Sequence, residues 1–310
     1  MKSILVITGG AGFIGTKLSQ KLTSEFDEVI VVDSLNPYVH KKVPVLPTEV
    51  TFIAGSVEES RVWKYLSRHI GKSSRISILH LASETSTGLS LEMPSLHVSS
   101  NVQGTSNLLE FMNMHLSQID KIVLSSTRAI YGEGAWQVNN QTVYPNTRDR
   151  KMLEKGIWNP THNGEVCDFN IPISASSAMP NPCNIYGVTK LAQEQMLSVW
   201  CKSFSIPFIA LRFQNVYGPG QSLFNAYSGI LAFFIRQINN HEDLNIFEGG
   251  QIMRDFVYID DVVEATARCI DFEGNYTGAI NIGSGKAESV LSIAQKIKAF
   301  YNSQSEINIS

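Results

Sequence analysis

Cysteine is scarce in this chain of 310 residues: there are four, Cys167, Cys183, Cys201 and Cys269, and none stands in a Cys-x-x-Cys pair. That spacing offers neither a thiolate set for structural zinc nor a disulfide framework. The four read as small hydrophobes in a reduced, cytoplasmic protein, with no metal site expected. An excess of charge of one sign is also missing. With 25 Lys and Arg against 28 Asp and Glu, the net charge is −3. This excludes a broad basic field for nucleic acid or anionic membrane, but not a local anion site. No apolar run is long enough to span a bilayer. The run at the start, Ile4–Ile7, is broken at once by Gly9 and Gly10. A signal peptide needs a longer apolar region and a small-residue cleavage site, so the run reads as a first strand. Repeats and low-complexity tracts are absent.

What is present is apolar patterning. Apolar side chains make up 43% of the sequence, enough for one large α/β unit with a smaller lobe. Strand-like runs at Ile4–Thr8, Val29–Val32, Val50–Ile53, Ile76–Leu81 and Lys121–Ser125 alternate with helical patterns over 13–25, 58–70 and 92–115. The alternation predicts βαβ units and a parallel sheet, with ligands bound beyond the carboxyl ends of the strands. Residues 133–184 break the rhythm with Gly, Asn, Pro and Cys, and a loop of that length in a compact domain is functional or mobile. A helix over 185–204 and a strand at Pro207–Phe213 resume it. The expected division gives 1–132 and 181–216 to a dinucleotide-binding domain, with 255–272 returning to it. Residues 133–180 form an insertion, and 217–254 with 273–310 form a substrate-binding lobe.

The first strand runs straight into Gly9-x-x-Gly12-x-x-Gly15 and a helical pattern. Glycine is demanded by a tight turn, by backbone approach to a pyrophosphate, and by close helix–strand packing. The helix N-terminus, with Phe13 and Ile14, then offers free N–H groups and a favourable dipole to phosphate. Glycines alone are equally a packing turn. Here, however, the second strand ends in Asp33, at the spacing of a carboxylate that grips an adenosine ribose. Asp33 repels a 2′-phosphate and so favours NAD over NADP; Ser34 beside it adds little. The fold expected is a Rossmann-type doubly wound sheet with a smaller C-terminal substrate lobe.

Tyr186 and Lys190 stand four apart at the start of a helical stretch, which puts phenol and ammonium on one face. A free tyrosine, with a pKa near ~10, is a poor acid–base group at neutral pH. A nearby ammonium and a positive nicotinamide ring favour its phenolate. Taken alone, the pair is equally an amphipathic surface pair. Ser125, Ser126 and Thr127 end a strand placed fifth in the sheet, so their hydroxyls emerge at the edge where the site must lie. Strand-end capping is the alternative for all three.

Together these residues resemble the extended short-chain dehydrogenases, the nucleotide-sugar epimerase/dehydratase family. The resemblance runs from residue 4 to about 285. Its carriers are TGGAGFIG (8–15), HLA (80–82), NVQGT (101–105), SSTRAIYG (125–132), YGVTK (186–190), LRFQNVYGPG (211–220) and RDFVYIDD (254–261). It implies catalytic roles for Thr127, Tyr186 and Lys190. It implies cofactor contacts for Ser56, Val57, Leu81, Ala82, Ser83, Asn101 and Ser125, and substrate contacts for Thr85, Thr127 and Arg128. Asn215 and Arg254 fall where the family holds a sugar-nucleotide diphosphate, work that suits a guanidinium fork. An ion pair with Asp255 or Asp260 is the alternative for Arg254. A homodimer is implied as well.

The chain also departs from the family. Gly55-Ser56-Val57 replaces the frequent Gly-Asp-Val, so an adenine-binding carboxylate is missing. Arg128-Ala129 stand where sugar 4,6-dehydratases carry Asp-Glu, which argues against dehydration. DSLNPYVH (33–40), HLASETSTGLS (80–90) and STRAIYGEGAW (126–136) are similar to the dTDP-L-rhamnose 4-epimerase branch. The long insertion of that branch often carries a cysteine-rich ribbon. Only Cys167 stands in place here, so a metal knuckle is not expected. The chain ends soon after Asn281-Ile282-Gly283, where relatives continue over the base, and this leaves the base open.

The implied function is NAD-dependent 4-epimerisation of a nucleotide-linked, dTDP-borne 6-deoxyhexose. Two alternatives stand beside it. One is a 4-keto-6-deoxyhexose reductase, for which NADP is also a cofactor. The other is a non-catalytic dinucleotide sensor.

Overall fold

The computed structural model describes residues 1–37, 39–40, 42–223 and 229–310; Tyr38, within the 33–40 motif, lies outside them. Seven strands form its central sheet: β1 (Lys2–Thr8), β2 (Glu28–Asp33), β3 (Thr51–Ala54), β4 (Ser74–His80), β5 (Ile119–Thr127), β6 (Phe208–Phe213) and β7 (Thr277–Ile282). Their order is β7-β6-β5-β4-β1-β2-β3, and every neighbouring pair is parallel. The order reverses between β1 and β4, which opens a crevice at their carboxyl ends.

Strand β1 shows why the sheet is doubly wound. Ile4 and Val6 join one core, while Leu5 and Ile7 join the other. Both faces are covered, so the strand reads as a continuous apolar run rather than an alternating one. On the first face lie α2 (Ser60–His69), α3 (Gly104–Met114) and α4 (Ile185–Phe204), contributing Trp63, Leu66, Phe111 and Leu197. On the second lie α1 (Phe13–Leu22) and α5 (Ile259–Asp271), contributing Leu18, Leu22, Val262 and Ile270. Fully burying each such side chain is worth about 1.5–3 kcal/mol, and this fixes the sheet edge on which the site is built.

A smaller core of Phe234, Ile238, Leu244, Ile246, Val290 and Ala294 joins helices Ile230–Asn239 and Val290–Phe300 to strands Leu244–Ile246 and Ile307–Ile309. The expected division is corrected at β7. The expected division places residues 277–282 in the substrate lobe, yet they pair with β6 from Phe208↔Thr277 to Phe213↔Ile282. Their alternating Ala279, Ile280 and Ile282 pack on the two main cores, a long-range pairing that local pattern does not reveal.

The helix expected over 92–115 is segmented. Thr87–Glu92 ends before Pro94–His97, then come a π-helix at Val98–Gln103 and α3. Met93 has left the helical region (φ −128°, ψ 61°), because the ring of Pro94 disfavours helical backbone in the residue before it.

The insertion has structure of its own. Strands Ala135–Val138, Gln141–Val143 and Phe169–Ile171 form a small antiparallel sheet. Cys167, 1% exposed, packs there with Val138, Val143 and Trp136. Among the described residues no three His, Cys, Asp or Glu side chains converge as metal ligands, and no helix is long and apolar enough to cross a membrane.

Candidate active site

A cleft of about 1350 Å³ opens at the carboxyl ends of the central strands. One end of it is built from main chain. The Gly9 N–H donates to Val32 O (2.8 Å) and the Gly12 N–H to Gly9 O (3.1 Å). Gly9 has φ +69°, and a Cβ there would lie 2.6 Å from Ala82 N; one on Gly15 would lie 2.5 Å from Gly9 O. Among the described residues no side chain caps α1 at Gly12, and the helix N-terminus lines the cleft, as an anion site requires. Phe13, Ile14 and Gly15 line the wall beside them.

Asp33 ends β2 on the same wall. It accepts from Ala11 N (3.0 Å) and Leu35 N (2.9 Å), which pins the carboxylate while leaving each oxygen further acceptor capacity. His40 Nε2 stands 3.8 Å from it. Ser34, Ser56, Val57, Leu81, Ala82, Ser83, Thr85 and Ser125 all line the cleft. Ser56 donates to Glu58, and Ser125 donates to His80 O (3.3 Å). Asn101 does not line it. Completely buried in the π-helix, it accepts from Glu84 N (2.8 Å) and donates to Glu84 O (3.0 Å) and Thr189 Oγ1 (2.9 Å). It braces the wall from behind and ties it to α4.

The second group lies across the cleft. Asn184 caps α4 by accepting from Gly187 N (2.8 Å), which sets Tyr186 in the first turn and Lys190 one turn on. Thr127 ends β5 and caps the following turn, accepting from Ala129 N (3.2 Å). All three line the cleft. Burial pushes the Tyr186 phenol above its usual pKa, while a hydrogen bond from Thr127 and the Arg128 guanidinium pull it down. Lys190 is 1% exposed, and its Nζ has no hydrogen-bond partner among the described residues. Burial lowers its pKa to about 7, against the pull of Glu194. An unpaired buried ammonium is costly, and at the floor of this cleft it fits a ligand that brings hydroxyl acceptors.

The third group is cationic. Arg128 Nε donates to Asn215 Oδ1 (2.7 Å), and Arg254 Nη1 to Met253 O (2.9 Å). Neither forms an ion pair among the described residues. The acidic neighbours proposed for Arg254 are engaged elsewhere. Asp255 accepts from Ser284 N (2.8 Å) and Gly285 N (2.9 Å), and Asp260 pairs with Lys17 (3.6 Å). Burial lowers the pKa of both guanidiniums; Arg254 lowers that of Arg128 further, while Arg254 itself is repelled by Arg148 and drawn back up by the Glu248 and Glu133 carboxylates. Two unpaired arginines in one cleft call for an anion. The arginines of the insertion differ: Glu133 and Glu248 hold Arg148, and Arg150 is exposed and pairs with Glu154 (2.9 Å).

Sequence reasoning missed Glu194, which repeats the four-residue spacing one turn beyond Lys190, and its partner Arg212. It also missed Glu84, whose Oε1 accepts from Asn36 Nδ2 (3.1 Å) across the cleft wall. Glu84 stands inside the HLASETSTGLS motif (80–90), but nothing local marks its carboxylate.

A doubly wound parallel sheet with a glycine turn at β1 and a Tyr-x-x-x-Lys pair opposite defines an enzyme of the extended short-chain dehydrogenase class. The chain belongs to the NAD-dependent epimerase/dehydratase family, whose model matches residues 5–151 and 164–283. The unmatched stretch between them lies inside the insertion. The chain is 39% identical over 305 residues to a dTDP-L-rhamnose 4-epimerase of Burkholderia thailandensis, covering 96% of this chain and 81% of that protein. A putative UDP-glucose 4-epimerase of Methanocaldococcus jannaschii is 29% identical, covering 95% and 81%. Among solved structures, the UDP-glucose 4-epimerase of Thermotoga maritima with UDP-glucose superposes with a TM-score of 0.78 at 26% identity, covering 99% of this chain and 85% of that one. The UDP-glucuronic acid 4-epimerase of Bacillus cereus, in complex with UDP-glucuronic acid and NAD, gives 0.74 at 26%, covering 99% and 85%.

Proposed function

We propose that this protein is an NAD-dependent nucleotide-sugar 4-epimerase acting on a dTDP-linked 6-deoxyhexose. One observation carries this reading: an acid–base pair and two arginines that form no ion pair among the described residues share a single cleft with a glycine turn. The residues present fit NAD. The turn at Gly9, Gly12 and Gly15 leaves N–H groups for its pyrophosphate, Asp33 holds acceptor capacity for its adenosine ribose, and Lys190 awaits a hydroxyl partner. NAD bound there supplies a reversible hydride acceptor. Tyr186, as phenolate, takes the proton of the C4 hydroxyl and later returns it. Lys190 holds the phenolate charge, and Thr127 steadies the sugar oxygen beside it. Asn215 and Arg254 grip the diphosphate, leaving the sugar to turn between two faces.

The dTDP and 6-deoxyhexose assignment rests on the 39% identity to the Burkholderia enzyme. Reduction of a 4-keto sugar would use the same residues once, but nothing in the relatives favours it. A homodimer is supported by exposed Val98 on the π-helix and exposed Val188 and Val199 on the neighbouring α4, and a cytoplasmic setting by four unpaired thiols. NMR of dTDP-L-rhamnose incubated with enzyme and catalytic NAD should show the C4 epimer appear. Tyr186→Phe should slow this by about 10²–10⁴-fold while NAD still binds. Wild-type turnover in that variant would falsify the role.

A further inference from the structure

Behind the acid–base pair lies a buried charged network that the proposed mechanism does not use. Glu194 and Arg212 are each 6% exposed. Arg212 grips the carboxylate twice, Nε to Oε1 at 3.1 Å and Nη2 to Oε2 at 2.8 Å. Ser126, next to Thr127, donates to the same carboxylate. Arg212 Nη1 reaches Tyr131 Oη (3.0 Å), whose hydroxyl donates to Asn281 Oδ1 (2.6 Å). The far end is the returning leg of the insertion: Ala175 O accepts from Arg212 Nη1 (3.3 Å), and Ile173 O accepts from Asn281 Nδ2 (2.8 Å).

Tyr186, Lys190 and Glu194 follow one another at four-residue spacing on α4, so successive side chains stand on one face, about 5–6 Å apart at Cβ. We propose that Glu194 is a positioning residue: clamped by Arg212 and Ser126 one turn beyond Lys190, and without a direct ion pair to it among the described residues, its carboxylate is the counter-charge for the Lys190 ammonium behind the Tyr186 phenol. The idea rests on the acid–base reading of Tyr186 and Lys190, and extends it to a carboxylate that touches no substrate.

A buried ammonium needs a nearby counter-charge, because desolvation otherwise drives off its proton. Glu194 is the carboxylate that favours the charged form of Lys190. The other ionisable groups around the pair do not supply that charge. His80 on β4 is buried and held neutral, with its pKa pushed down to about 3. His97 packs edge-on against the Tyr186 ring. Arg128, on the turn after β5, and Arg212, on β6, are cations. Replacing Glu194 by glutamine removes the one carboxylate that favours the lysine's charged form and leaves Arg212 without its ion-pair partner, so the lysine proton is lost more readily. The insertion completes the clamp, since its backbone carbonyls hold Arg212 and Asn281 from the side opposite Glu194.

The test is the pH dependence of kcat on dTDP-L-rhamnose with saturating NAD. Glu194→Gln keeps the shape and removes the charge. Its alkaline limb should move down by about one pH unit or more, which lowers kcat on that limb by about tenfold per unit, with KM within about twofold. Tyr131→Phe removes an oxygen from the same network but no charge, and its limb should stay in place. An unmoved limb in Glu194→Gln, or an equal shift in Tyr131→Phe, overturns the proposal. Should Glu194→Gln not fold, Glu194→Asp draws the charge back by one methylene. Its limb should move down by a smaller amount, and an unmoved limb there is equally fatal. Tyr186→Phe separates the two levels. If it keeps wild-type turnover, the acid–base reading falls and Glu194 with it. If it is inactive while the Glu194 variants keep the wild-type limb, only the role of Glu194 is lost.

Discussion

The two walls of the cleft are made differently. At the glycine turn the geometry is held by main chain. Gly9 bonds Val32 O, Gly15 leaves no room for a Cβ, and Asp33 is pinned by two backbone N–H groups. Across from it the geometry is held by long side chains brought from distant positions: Arg128 on Asn215, and Arg254 from the strand Met253–Tyr258. A wall of backbone accepts one ligand shape and tolerates little change. A wall of arginines sets a charge and leaves the shape adjustable. One family can thereby keep its cofactor while changing its sugar.

Four substitutions break or sharpen that contrast. Gly9→Val should be the most damaging. A side chain there meets Ala82 backbone at 2.6 Å in a φ +69° conformation, and overpacking and strain each cost about 1–3 kcal/mol. NAD binding by calorimetry should vanish, and retained binding would mean the turn is not the pyrophosphate site. Arg254→Ala should weaken dTDP binding to the NAD-saturated enzyme by about 1.5–3 kcal/mol, on the order of ten- to a hundredfold or slightly more, with NAD affinity unchanged. Equal dTDP affinity in the folded variant would free Arg254 of any role in diphosphate binding. Asp33→Ala should narrow the preference for NAD over NADP by roughly tenfold, the scale of one charge-assisted hydrogen bond, measured as the ratio of the two dissociation constants. Equal wild-type affinity for both cofactors would show that Asp33 does not select.

Lys190→Met should be the mildest for the fold, though it removes activity. The folded pKa of Lys190, about 7, lies below the 10.5 of a free lysine. The unfolded chain therefore binds more protons between those values, and stability tied to this group falls as pH drops through that window. Below it, the ligand-free Met variant should melt about 2–4 °C higher than wild type, with the gain shrinking toward pH 10. A lower Tm at pH 6 would mean that the ammonium is satisfied in solution.

Legibility in the sequence followed the same contrast. The glycine turn, Asp33 and the Tyr186–Lys190 spacing are local patterns, and the sheet edge is visible in the apolar runs. What depends on distant chain was hidden. Whether Arg254 pairs with Asp255 or stands free is decided by Ser284 and Gly285, some thirty positions away. Strand β7 is recognised as part of the central sheet only through its pairing with β6, some seventy positions earlier. Asn101 was legible as part of NVQGT, but its retreat behind the wall depends on a π-helix and on Glu84. Glu194 carried a readable signal, the repeated spacing of four, yet only the fold brings Arg212 to it.

The central claim is that one cleft both takes and returns the hydrogen at C4 of a dTDP-linked 6-deoxyhexose. It is tested most directly with dTDP-L-rhamnose deuterated at C4, incubated with enzyme and a trace of NAD in ordinary water and followed by NMR and absorbance at the reduced-nicotinamide band. The account predicts the C4 epimer with its deuterium retained and no net reduced cofactor. Deuterium lost to solvent, or reduced cofactor accumulating one for one with product, would contradict it.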